Sequence, residues 1–273
     1  MAEERGAPIF SGVGVALLTL FDEGGSLDVQ ATAEHAARLV DLGVKAVAVL
    51  GTTGEPWLLT ERERVDLVEA CRSTVPAEVP VIAGTGHPDI EGAVRLTRDA
   101  MAAGADAALV LSLVGAEDQK PYYAAVAQAV PGFDLLAYHL PMLSPPGVRV
   151  EQLDELGVRG IKDSTGDAER LALEIENYSG EVYVGSPALL SGWSAWRCRC
   201  HSRTREPRAG ALRKGLRRRR ARSALAASGP SGFARQLPCR VEGMCPAMPI
   251  SGMCATGSTR TTAASAALAG YLT

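Results

Sequence analysis

The sequence predicts an α/β fold, a (β/α)8 barrel whose last βα unit and C-terminal helices are missing or replaced. Three observations carry this reading. First, seven short apolar runs recur, at residues 13–20, 46–50, 79–83, 107–111, 135–138, 160–162 and 182–184. They lack period-two alternation, as expected of parallel strands buried on both faces. Second, amphipathic stretches with helix-type ends lie between them. Third, no G-x-G-x-x-G follows the first run, which weakens the competing doubly wound, dinucleotide-binding fold.

The elements follow in order. After the first run, a helix starts near Asp28 and stops at Gly43. After the second, Thr60 opens T-E-R-E, a capping box in which Thr60 and Glu63 satisfy each other's backbone donors. Val65, Val68 and Cys71 then repeat at helical spacing. After the third, a helix begins at Pro88 and Asp89, places Ile90, Val94, Thr97 and Met101 on one face, and stops at Gly104. Glycine just past a helix end is the expected stop signal.

Composition bounds the rest. The chain has 273 residues and is 47% hydrophobic, as a soluble globular protein is. Its longest apolar runs fall far short of the roughly 20 residues a membrane span needs. The opening MAEERGAPIF is acidic and has no signal-peptide apolar core, so a cytoplasmic location is expected. The net charge of −3 hides a split. Residues 1–190 hold 13 Lys and Arg against 29 Asp and Glu, whereas residues 191–273 hold 15 against 2.

In a barrel, chemistry belongs at the C-terminal ends of the strands. The sixth run ends GIKDSTGD, which puts Lys162 at a strand tip. An ammonium there is costly to desolvate, and a neutral amine attacks carbonyls to form a Schiff base. The plainer alternative is a surface lysine beside Asp163. The fifth run ends LLAYHLP, where Tyr138 can move protons if a neighbouring group completes a relay. Its plainer alternative is a core tyrosine. Alternation turns His139 away from Tyr138, toward a structural role. The second run ends VLGTTGEPW, where Gly51, Thr52 and Thr53 offer N–H groups and hydroxyls to a small anion such as a carboxylate. That segment also reads as a plain turn. In IAGTG, Gly84 leaves room for substrate, and Gly185 sits at the mouth of the seventh run. Together these groups describe imine chemistry on a 2-oxo acid.

GTTGE, IAGTG, YHLP and GIKDSTG, in this order and spacing, resemble the dihydrodipicolinate synthase / N-acetylneuraminate lyase family of pyruvate-dependent lyases. The resemblance covers about residues 9–190. It implies a TIM barrel, a homotetramer, no cofactor and no metal. Lys162 would be the Schiff-base lysine and Tyr138 the proton-relay tyrosine. Thr52 and Thr53 would hold the pyruvate carboxylate, with Thr53 also in the relay. Two departures stand out. The synthase proper completes its relay with a tyrosine from a neighbouring subunit, and the matching position here is Leu113, with Tyr122 and Tyr123 on the following helix. It also carries an arginine after Y-x-x-P, and YHLPMLSPPG has none. Both departures favour a lyase or aldolase with another second substrate over 4-hydroxy-tetrahydrodipicolinate synthase itself.

Residues 191–273 break the βα rhythm and form an atypical tail rich in Arg and Cys. Arg217, Arg218, Arg219 and Arg220 could bind phosphates, but no nucleic-acid module accompanies them. Cys198, Cys200, His201, Cys239 and Cys245 match no zinc spacing. A disordered basic extension would carry fewer Trp and Cys. The favoured reading is a shifted frame in GC-rich coding DNA, replacing the eighth strand and the closing helices. A barrel so altered would have an open edge and be prone to aggregate. The remaining alternative is therefore an inactive barrel remnant with a basic interaction tail.

Overall fold

A computed structural model describes residues 7–186 and 189. All seven strands are present: β1 (Gly14–Ala16), β2 (Ala46–Val49), β3 (Val81–Gly84), β4 (Ala107–Leu111), β5 (Asp134–His139), β6 (Gly160–Asp163) and β7 (Glu181–Val184). They pair in parallel, each with the next, in one sheet of order β1-β2-β3-β4-β5-β6-β7. This is the curled β/α architecture of a TIM barrel. The expected loss or replacement of the eighth unit, and the Arg/Cys-rich tail of residues 191–273, lie outside the described residues.

Both faces of the inner strands β2 to β6 are covered, which is why they read as apolar runs. On β2, Ala46 and Ala48 face the interior with Ile82, Leu109, Leu136 and Tyr138. Their neighbours Val47 and Val49 pack outward on Ala33, Ala36, Leu67, Val68 and Cys71 of the helices α1 (Val29–Asp41) and α2 (Glu61–Thr74). Outward residues of β4 to β6 pack on Tyr122, Tyr123 and Val126 of α4 (Lys120–Ala129). Burial pushes the Cys71 thiol up to about 12, so this cysteine serves as packing.

The expected helix ends are in place. Asp28 accepts the Ala31 N–H at the start of α1. Thr60 and Glu63 close the capping box of α2. The face assigned to α3 (Ile90–Ala102) needs correction. Its buried residues are Gly92, Ala93, Leu96, Thr97 and Ala100. Ile90 and Met101, in the first and last turns of the helix, are 38% and 40% exposed. A second difference falls between β5 and β6. The connection holds only a 3₁₀ segment, Val150–Glu155, where an α-helix was expected. The turn-rich LPMLSPPG, residues 140–147, opens that link with irregular backbone.

The chain's start closes the floor of the sheet. The Ile9 N–H donates to a Glu181 carboxylate oxygen at 3.2 Å. The Phe10 ring stacks on Tyr183 with centroids 4.4 Å apart. Arg159 pairs with Glu181 at 2.8 Å and Asp134 at 3.2 Å. No helix among the described residues is long and apolar enough to cross a membrane.

Candidate active site

The register between β5 and β6 pairs Tyr138 with Lys162, and that between β6 and β7 pairs Lys162 with Tyr183. Side chains at paired positions point to the same face, so all three enter the barrel. Lys162 Nζ stands 4.5 Å from the centroid of the Tyr138 ring. Among the described residues no carboxylate lies within ion-pair distance of it. Asp163, the neighbour expected beside it, turns outward and pairs instead with Arg170 at 2.9 Å.

The Gly51–Gly54 turn comes from an unusual backbone. Leu50 is buried yet has φ of 57°, a left-handed conformation costly for a bulky residue. This kink drives the Leu50 carbonyl against Gly84, where any Cβ would overlap its oxygen. Gly84 is thus required by the approach of β2 to β3, so the room expected for substrate is taken by backbone. Gly185 is similar: a Cβ there would strike Ser164 Oγ, and its N–H donates to the Asp163 carbonyl at 2.6 Å.

Beyond the kink, Thr52–Gly54 forms a 3₁₀ turn that ends at Glu55, again with a positive φ. Gly54 N–H donates to Gly51 and Glu55 N–H to Thr52. Among the described residues no hydrogen bond engages the N–H of Thr52 or Thr53. Two such donors side by side suit a carboxylate. The hydroxyl that reaches Tyr138 belongs to Thr52, with Oγ1 3.1 Å from the phenolic oxygen. Thr53, expected in the relay, makes no side-chain hydrogen bond among the described residues. Adjacent threonines on a tight turn face different ways, and only the first points across the barrel.

The other aromatic hydroxyls are structural. Tyr123 OH donates to the Val110 carbonyl at 2.9 Å, and burial pushes its ionisation far up. Tyr122 OH donates to the His87 carbonyl at 3.3 Å. Tyr183 OH donates to Glu181 near the floor. Leu113 is half-buried and packs against the outer core. His139 has the structural role expected: its Nδ1 accepts the Val148 N–H at 2.9 Å, and burial lowers its pKa to about 4.

A parallel β/α barrel with a lysine against a tyrosine ring at neighbouring strand tips defines a class of lyase-type enzymes. Residues 9–192 match the Dihydrodipicolinate synthetase family, and the chain belongs to it. It is 34% identical over 192 residues to the 4-hydroxy-tetrahydrodipicolinate synthase of a Synechococcus species, covering 65% of this chain. The chain spans 64% of that relative's length, under two thirds. Among solved structures, it resembles dihydrodipicolinate synthase DapA-2 of Bacillus anthracis, with a TM-score of 0.63 and 30% identity over 67% of this chain and 66% of that one. It also resembles YagE, a prophage protein of the same family from Escherichia coli solved with pyruvate, with a TM-score of 0.63 and 25% identity over 67% of this chain and 66% of that one.

Proposed function

We propose that this protein is a Schiff-base-forming lyase of the aldolase type, acting on pyruvate or another 2-oxo acid. The observation that carries this reading is Lys162, without a carboxylate partner among the described residues and 4.5 Å from the centre of the Tyr138 ring. The pyruvate bound in YagE favours pyruvate as the 2-oxo acid.

The chemistry follows from the groups present. The free N–H groups of Thr52 and Thr53 bind the substrate carboxylate. The neutral Lys162 amine attacks the 2-oxo carbon, and the carbinolamine oxygen leaves as water after taking a proton. Tyr138 supplies that proton, with Thr52 Oγ1 as its hydrogen-bonded neighbour. The resulting iminium draws electrons from C3, so loss of a C3 proton gives an enamine. The enamine adds to an aldehyde carbon, or the reverse step cleaves that bond. Water then hydrolyses the imine and frees Lys162, so no cofactor is needed. A homotetramer in the cytoplasm accompanies this reading.

A second reading, 4-hydroxy-tetrahydrodipicolinate synthase proper, draws support from the name of the Synechococcus relative. Leu113 in place of a tyrosine, and YHLPMLSPPG without an arginine, weigh against it. The enamine step can be tested with pyruvate in deuterated water. Exchange of its methyl protons, abolished in Lys162→Ala, is the expected result. Equal exchange by the wild type and the variant would refute the reading.

A further inference from the structure

The outer faces of the two strand tips hold a buried polar lattice that the proposed chemistry leaves unused. Each strand-tip residue of the site is followed by a residue of this lattice: Tyr138 by His139, and Lys162 by Asp163. The register pairs His139 with Asp163. Both are 4% exposed.

Asp163 Oδ1 accepts the Thr165 N–H at 2.7 Å and the Thr165 hydroxyl at 2.6 Å. Its Oδ2 accepts Arg170 Nε at 2.9 Å. Arg170, on the helix α5 (Ala168–Asn177), also donates through Nη2 to the Val148 carbonyl at 2.8 Å. The Val148 N–H in turn donates to His139. One guanidinium therefore joins the tip of β6, the loop that follows β5 and, through Val148, the tip of β5. Arg170 Nη2 also lies 2.9 Å from Oε1 of Glu174, a residue with no exposed surface. That pair falls short of hydrogen-bond geometry, and neither Glu174 oxygen has a hydrogen-bond partner among the described residues.

We propose that Arg170, held between Asp163 and Glu174, is a positioning residue that sets the separation of Lys162 and Tyr138 across β5 and β6. The proposal rests on the Schiff-base reading above. A planar guanidinium fixes several acceptors in one geometry, which the point charge of a lysine cannot reproduce. Misplacement of reacting groups by about 1 Å can cost on the order of a hundredfold in rate. Glu174 sets the charge of the lattice. Burial, with Asp163 adding to it against Arg170, raises its pKa to about 8. His139, paired with Asp163 in the same lattice, has its pKa lowered to about 4 by burial and is neutral throughout that range. Above pH 8 Glu174 gains a negative charge, and its carboxylate then competes with Asp163 for Arg170.

The test is the rate of pyruvate imine formation by the full chain, read by borohydride quench at several pyruvate concentrations and pH values. Arg170→Lys is expected to slow the step ten- to a hundredfold at saturating pyruvate, with half-saturation changed less than about twofold. The Glu174→Gln rate, divided by the wild-type rate, is expected to rise as pH passes 8. Dividing by the wild type removes any pH dependence common to both proteins. If Arg170→Lys fails to fold, the Glu174→Gln ratio decides alone. A wild-type rate in Arg170→Lys, or a ratio flat across pH 7 to 9, overturns the proposal. No imine in the wild type instead refutes the Schiff-base reading, and this proposal with it.

Discussion

Thr52 Oγ1 lies 3.1 Å from the hydroxyl of Tyr138, although 86 residues separate them in the chain. The contact joins the turn after β2 to the tip of β5, and it holds the phenol whose ring lies beneath the Lys162 amine. It depends on the left-handed Leu50, which turns the chain inward at the end of β2.

Removing the phenolic oxygen alone should therefore damage proton transfer and spare binding. Tyr138→Phe keeps the ring against Lys162. It is expected to lower kcat by about 10²- to 10⁴-fold with a smaller change in KM, the usual span for losing a general acid–base group. Thr52→Val should lower kcat less, and the double variant should be no worse than Tyr138→Phe. Steady-state kinetics of the three variants checks this. Multiplying losses would contradict a shared relay.

Gly84→Ala tests the turn from the other side. Its Cβ would overlap the Leu50 carbonyl oxygen, which is backbone and cannot rotate away. Overpacking of this kind costs about 1–3 kcal/mol. The variant is expected to lose that much in a urea titration, and to lose pyruvate affinity because Thr52 and Thr53 shift. Unchanged stability would mean that the tips of β2 and β3 are less closely packed than described.

The buried lattice gives stability a particular pH dependence. Glu174 has its folded pKa raised from 4.5 to about 8, so between those values the folded state holds a proton the unfolded state has lost. Stability then falls as pH rises, by up to about 1.4 kcal/mol per unit. His139 is lowered from 6.5 to about 4, so between those values the unfolded state holds the extra proton and stability rises with pH. The two slopes oppose each other below pH 6.5, leaving the Glu174 fall visible from 6.5 to 8. Denaturant melts of Glu174→Gln should lack that fall and show the His139 rise below 6.5. A fall from 6.5 to 8 that persists in Glu174→Gln would contradict this assignment.

The strands β2 to β6 were legible because both of their faces are largely buried, which leaves an unbroken apolar run with little competing signal. Lys162 and Tyr138 were legible for a related reason: a polar residue ending such a run must lie at a barrel mouth. What escaped sequence reading depends on backbone angles and on pairing at a distance. Nothing in VLGTTGE marks Leu50 as left-handed, and without that kink Thr52 cannot be told from Thr53. The Arg170–Glu174 spacing of four looks like an ordinary surface pair on a helix. Only the placing of α5 beside the Val150–Glu155 segment, with Arg170 on Asp163 of β6, buries it. The apolar pattern of α3 misled because Ile90 and Met101 share a helical face with Thr97 but lie in the end turns.

The central claim is that Lys162 forms a covalent imine with a 2-oxo acid. Incubating the full chain with pyruvate, reducing with borohydride and mapping the adduct by peptide mass spectrometry tests it most directly. The expected result is one pyruvate-derived adduct, on Lys162, absent from Lys162→Ala. A folded protein that carries no adduct, or carries it on another lysine, would contradict it.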